Sequence, residues 1–525
     1  MAANFIDCLV IRITSCAIGD VMEQKSRKYL SAVNAFTNII AQFVILFISF
    51  ATRKIFIVAF GENYLGISGL YSNILSVLSL AELGVGNAIL YCLYKPVAEG
   101  DHEHVNALIN YYKKLYRIIG IAVAAVGLLV VPLLKYIVKI DADVGNVTIY
   151  YLLYLANVVA SYFLVYKTAI LTADQKGYVI KICTVCVQII QFVAVTVIAL
   201  VFHNYTLYLA VQIAFLILTN VVSSAIASKR YPFINGKNQI STEEKKSIWS
   251  NIKAMFSYQF GGVMINHTDN ILISLLINTI VVGYYSNYSM VVSTVTTFVA
   301  LLFGSVQASV GNLAATEGSD RQYEVFNKLS IIGFCITSFS TVSFVVLFQD
   351  FISILYTDHY LLGFEIVIAC AINFYMVNIL QPIYCYRNTV GLFKQTKRIM
   401  MFTAIINIAL SVALGYVWGL FGILIATFIA RLITNFWYEP IKLYRNYFNR
   451  SAKEYFAGQL VNVLCTLIMV GVLMGLSVLI KPINIYVRFL IKMISCVIVP
   501  CCVFAVRYRK TDLFATAISF IKKKR

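Results

Sequence analysis

Eight side chains that could do chemistry lie inside long apolar stretches: Arg53, Lys54, Glu82, Lys167, His267, Asp269, Arg387 and Arg431. An ionisable group at the centre of such a stretch costs at least about 2.5 kcal/mol to bury in hydrocarbon, so it marks a polar cavity or a buried partner. Arg53, Lys167, Arg387 and Arg431 are the residue types that hold anions, above all the clustered oxygens of a pyrophosphate. Lys54, Glu82, Asp269 and His267 are read as gating or ion-coupling candidates. Arg53 and Asp269 lie at similar depth, and a contact between them would be either a gate or a fixed structural pair. Glu82 and Asp269 also suit a coupling cation. Snorkelling to an interface is the competing explanation for Lys167 and Arg387.

The elements that must carry these residues are membrane-spanning helices. Of 525 residues, 60% are hydrophobic and 12% charged, where a soluble chain would have roughly a quarter charged. The apolar residues form runs of about twenty or more, enough to cross a bilayer as helices, and not the alternating ten-residue segments of a β-barrel. Fourteen spans are predicted, at 34–59, 64–94, 113–139, 147–173, 178–202, 205–228, 251–277, 280–314, 325–356, 361–391, 396–417, 419–446, 453–480 and 484–507. The stretch 95–112 reads as a short amphipathic surface helix. With a cytoplasmic N-terminus, 32 of the 42 Lys and Arg fall on the cytoplasmic side. Five (Lys135, Lys139, Lys481, Arg488 and Lys492) fall outside, and five lie within spans. That asymmetry places both termini in the cytoplasm. It also accounts for the net charge of +19 without nucleic acid. The twelve cysteines are scattered through apolar runs, and Cys183 and Cys186 have no second pair nearby, so no disulfide, metal site or cofactor is expected. Residues 1–21 are expected to be disordered, or to precede a natural start at Met22.

The chain resembles itself. Gly69-Leu70-Tyr71-Ser72-Asn73 opens the second span and Gly283-Tyr284-Tyr285-Ser286-Asn287 the eighth, 214 residues on. Lys114-Leu115 and Lys328-Leu329 match at the same offset, and Tyr166-Lys167 matches Tyr386-Arg387 at an offset of 220. A shift of six spans keeps the orientation. The prediction is therefore an all-α integral membrane fold of two six-helix lobes related by a pseudo-two-fold axis along the membrane normal, plus two C-terminal helices. Its parts are a leader (1–33), an N-lobe (34–228), an inter-lobe loop (229–250), a C-lobe (251–446) and helices thirteen and fourteen with a basic tail (447–525). Lys167 and Arg387, as equivalents, would face a shared vestibule. The 35 Tyr and 35 Phe are assigned mostly to interfacial belts and lipid-facing packing.

Tyr64-Leu65-Gly66-Ile67-Ser68-Gly69-Leu70, Leu80-Ala81-Glu82-Leu83-Gly84-Val85-Gly86 and Leu93-Tyr94-Lys95-Pro96 resemble Wzx-type polysaccharide flippases. So does Thr268-Asp269-Asn270 with Ile271-Leu272-Ile273-Ser274. That family belongs with MATE drug exporters and lipid II flippases in one superfamily. The resemblance covers roughly residues 25 to 510. It implies movement of undecaprenyl-pyrophosphate-linked oligosaccharide across the bacterial plasma membrane by alternating access, for capsule or other surface polysaccharide. It also implies basic cavity residues on the pyrophosphate, among which Arg53 matches the family's placement. Expected partners are the lipid-linked oligosaccharide, membrane lipid, and a polymerase or glycosyltransferases; the expected state is a monomer. The alternative is a MATE-type drug/cation antiporter, which a cavity rich in Arg and Lys disfavours. No nucleotide-phosphate loop, zinc motif or nucleophile–base pair suggests an enzyme.

Overall fold

A computed structural model describes residues 27–511 apart from 83–84, 141–143 and 391, together with residue 514. Residues 1–21, and the expectation placed on them, lie outside the described residues. Those described are mostly helical, with no strand among them. The chain divides into two compact units, Met1–Val263 and Met264–Arg525.

The first unit contains α1 (Arg27–Leu78), α2 (Val85–Glu99), α3 (His102–Val130), α4 (Val147–Ser161), α5 (Ala169–Ala173), α6 (Gly177–Val197) and α7 (Tyr205–Arg230). α8 (Thr242–Leu276) begins in this unit and ends in the second. The second continues with α9 (Thr279–Thr316), α10 (Ser319–Tyr356), α11 (Phe364–Asn378), α12 (Gln381–Thr389), α13 (Phe393–Ile433), α14 (Asn435–Leu443), α15 (Lys453–Leu479) and α16 (Ile485–Tyr508).

Eleven helical stretches among the described residues are long and apolar enough to cross a membrane, which makes this a multi-pass membrane protein. The fourteen predicted spans are compatible with these eleven. Two stretches, Phe36–Leu78 and Arg398–Phe448, each cover two predicted spans. α8, the predicted seventh span, is absent from the eleven; its apolar second half is interrupted by Asn266, His267, Asp269 and Asn270.

Both long stretches break at a glycine. α1 breaks at Gly61 (φ 79°) and α13 at Gly419 (φ 57°), in backbone regions that only glycine enters without strain. α13 is a helical hairpin. Asn407 Nδ2 donates to Thr427 Oγ1 at 2.7 Å, Ser411 Oγ to the Ile423 carbonyl at 3.5 Å, and the Thr403 and Thr434 hydroxyls meet at 2.7 Å. These pairs centre on one turn and would be far apart along a straight helix. The arms are so close that a Cβ on Gly422 would stand 2.0 Å from the Leu414 carbonyl oxygen. α1 reverses likewise: Asn34 bonds Gln175 and Tyr178, Phe60 packs on Tyr205 at the other end of the unit, and Glu82 returns to Tyr116.

The loops on the predicted outer side are short because asparagine restarts the helix. Asn146, Asn204, Asn278 and Asn484 each cap the helix that follows, accepting from backbone N–H groups of its first turn. The predicted amphipathic helix at 95–112 is instead the junction of α2 and α3. Gly100 (φ 73°) ends one helix and Asp101 caps the other by accepting from His104 N.

Two features went unread in the sequence. Tyr71, Tyr151, Tyr288, Tyr386, Tyr444, Phe326 and Phe334 are completely buried between helices and not in belts. The Tyr71, Tyr151 and Tyr386 hydroxyls donate to the Val147, Gly127 and Gln322 carbonyls, each at 2.9 Å. The misplaced positive charges Arg488 and Lys492 also have a reason. Both reach the buried Asp350 of α10 at 2.7 Å, tying α16 to it.

Candidate functional site

In the first unit a cavity of about 530 Å³ opens along the second arm of α1. The sequence brings Ser72, Ser76 and Ser79 onto one helical face at spacings of four and three, and all three line it with Glu82, Tyr154, Asn157 and Gln259. Ser76 Oγ donates to the Ser72 carbonyl at 2.7 Å and Ser79 Oγ to the Leu75 carbonyl at 2.8 Å. Glu82 accepts from Tyr116 OH at 2.9 Å, and Tyr116 accepts in turn from Tyr112 OH at 3.0 Å. Tyr154 OH donates to Ser68 Oγ at 2.8 Å. Arg53 sits on the first arm within electrostatic reach of the Tyr154 and Tyr208 hydroxyls. Lys54, one residue on, is exposed on the stripe that carries Phe47 and Val58.

The two cations matched in the sequence, Lys167 and Arg387, have different partners. Lys167 Nζ donates to Ser228 Oγ at 2.9 Å and Asn235 Oδ1 at 3.0 Å, at and just beyond the end of α7. Both partners are neutral, so its charge is uncompensated by them. Arg387 is 4% exposed and its guanidinium lies 2.6 Å from the completely buried Glu439 of α14. It also stacks on the Tyr384 ring. Arg387 is therefore half of an internal ion pair. Lys167 and Arg387 therefore differ in their surroundings: Arg387 faces a buried carboxylate and Lys167 two neutral oxygens.

In the second unit Asp269 is buried and accepts from Thr427 Oγ1 at 3.2 Å. Thr427 accepts from Asn407, whose Oδ1 is buried without a hydrogen-bond partner. Ser411 completes this set of hard oxygens. Arg431 lies within electrostatic reach of Asp269 and donates to Asn266 Oδ1 at 2.7 Å. His267 is half-buried two residues before Asp269. In the first unit Glu82 lines the cavity with the serine face and Arg53 lies near its Tyr154 side; in the second Asp269 and Arg431 lie together. The serine face was legible as a spacing but carries no charge to draw notice.

A second hollow in the second unit, a groove of about 480 Å³, is nearly all apolar. α10, α11 and α13 wall one side, with Phe436 and Trp437 of α14 and, from α15, Leu460, Val463 and Leu467.

No family model matches the sequence, and no curated protein matches it. Solved structures do match. The inward closed conformation of the lipid II flippase MurJ aligns over 90% of this chain and 98% of its own, with a TM-score of 0.64 and 17% identity. The fold is that of the MurJ and MATE transporters. A multidrug resistance MATE family transporter of the MOP superfamily, inward-facing, aligns over 81% of this chain and 96% of its own, with a TM-score of 0.61 and 14% identity. A MOP superfamily transporter from Pyrococcus furiosus has a TM-score of 0.55 and 13% identity, over 81% of this chain and 99% of its own. At such identities the likeness concerns architecture.

Proposed function

We propose that this chain is a flippase that moves a polyprenyl-pyrophosphate-linked oligosaccharide across the bacterial plasma membrane by alternating access. The observation that carries the reading is the apolar groove built on α15. A hydrocarbon chain needs an unbroken apolar wall and a saccharide needs a polar one, and the groove and the serine-faced cavity supply one each. The lipid II flippase aligns over 9% more of this chain than the MATE transporter does. Both termini would face the cytoplasm, as the Lys/Arg asymmetry requires.

In this reading Arg53 and Lys167 attract the pyrophosphate. Arg387, neutralised by Glu439, holds α12 to α14. Asp269, with Thr427, Ser411 and Asn407, offers hard oxygen ligands of the kind that suit a coupling cation. The reading is tested by mass spectrometry of lipid-linked oligosaccharides in cells depleted of the protein. One polyprenyl-pyrophosphate oligosaccharide should accumulate, and its mass names the substrate. An unchanged pool with loss of small-cation export would establish the drug antiporter instead, a reading that the carboxylate of Glu82 in the cavity favours.

A further inference from the structure

We propose that the cavity of the first unit holds the sugars of the head group, and that its wall of hydrogen-bond acceptors selects neutral or amino sugars over acidic ones. This rests on the flippase reading and names the part of the substrate that this cavity takes.

The wall is specific in its polarity. Ser76 and Ser79 give their protons to the α1 backbone, which leaves only oxygen lone pairs for a ligand. Tyr154 gives its proton to Ser68. Asn157 Oδ1, also in the lining, is buried with no hydrogen-bond partner. Glu82 takes one bond from Tyr116 and has further lone pairs. A pyrophosphate only accepts hydrogen bonds, and in this lining it would find donors only on Ser72, Asn157 and Gln259, beside the Glu82 carboxylate. A pyranose ring brings a hydroxyl donor at nearly every carbon and leaves none of these acceptors unpaired. The carboxylate of Glu82 repels a uronic acid and tolerates a neutral or amino sugar. From Ser72 to Ser79 the helix rises about 10 Å, room for more than one ring. The pole near Tyr154 is the one Arg53 addresses, so the diphosphate would lie there with the sugars running toward Glu82.

The test uses the full-length protein in lipid nanodiscs and saturation-transfer NMR with three probes: diacetylchitobiose, digalacturonate and tetraethylammonium. Chitobiose should show transfer, and digalacturonate at least about fivefold less, the effect of roughly 1 kcal/mol of like-charge repulsion. Ser76→Leu should abolish the chitobiose signal and Ser76→Thr should keep it. Glu82→Gln should raise the digalacturonate signal, a gain that a misfolded protein would not give. Equal chitobiose transfer in Ser76→Leu, no gain in Glu82→Gln, or displacement of the disaccharide by tetraethylammonium would each overturn the proposal. The lipid-linked pool in depleted cells separates the two ideas. Accumulation without site-dependent transfer removes the sugar wall and leaves the flippase. Site-dependent transfer without accumulation does the reverse.

Discussion

Lys167 and Arg387 show how one pattern in the sequence becomes two roles. Arg387→Ala leaves Glu439 charged and buried, and should cost about 3–5 kcal/mol. The expected result is a clear fall in melting temperature of the purified protein. Replacing both members, Arg387→Met with Glu439→Leu, should recover most of it, because the apolar pair needs no desolvation. Lys167→Ala faces only neutral partners, Ser228 and Asn235. It should leave melting nearly unchanged and lower transport about tenfold, the worth of one charge-assisted bond. Transport assays in vesicles would separate the two outcomes, and a Lys167→Ala protein of full activity would remove that residue from the anion site.

At the scale of the element, two devices stand out. The α13 hairpin turns on Gly419, whose positive φ excludes other residues. Gly419→Ala should cost about 1–3 kcal/mol, seen as a loss of monodisperse protein on size-exclusion chromatography. Equal yield and melting would mean that the turn finds another backbone path. The second device is the anchoring of α16. Asp350 is buried between Arg488 and Lys492, and Asp350→Asn strands two cations in a poorly solvated place. The expected cost is again about 3–5 kcal/mol. It should appear as protease sensitivity centred on the loop before α16, since the later turns of α16 stay packed through Cys496 on Val342, Val346, Met469 and Leu473.

At the scale of the whole molecule, a lipid-linked substrate predicts that the polar cavity and the apolar groove fail independently. Val463→Trp fills the groove without adding charge. It should reduce transport of the lipid-linked substrate by about tenfold or more, while chitobiose binding in the first unit stays at the wild-type level. Loss of both would point to global damage. Membrane orientation has its own test. A cysteine at Asn484 should react with an impermeant maleimide added to intact cells, and one at Lys237 should react only after lysis. The opposite pattern would invert the Lys/Arg reading.

The sequence by itself determined the class of fold. Apolar runs of fixed length can only be membrane helices, because an unpaired peptide group in lipid is too costly. The breaks at Gly61 and Gly419 fall within two residues of predicted span limits (59 for the first, 417 and 419 for the second), whereas the asparagine caps were not read. The eight ionisable side chains inside apolar stretches were visible for the same reason: each violates a local rule. What they pair with was not visible. Glu439 lies 52 residues from Arg387 and Asp350 lies 138 from Arg488, and no local pattern joins such positions. The serine face escaped notice because an acceptor wall is made of ordinary helix-tolerant residues. Its polarity exists only once the α1 backbone has taken the hydroxyl protons and the fold has set Asn157, Tyr154 and Glu82 around the same space. Local physics decides which segments cross the membrane; only packing decides which of their polar groups are already satisfied, and therefore which are left to meet a ligand.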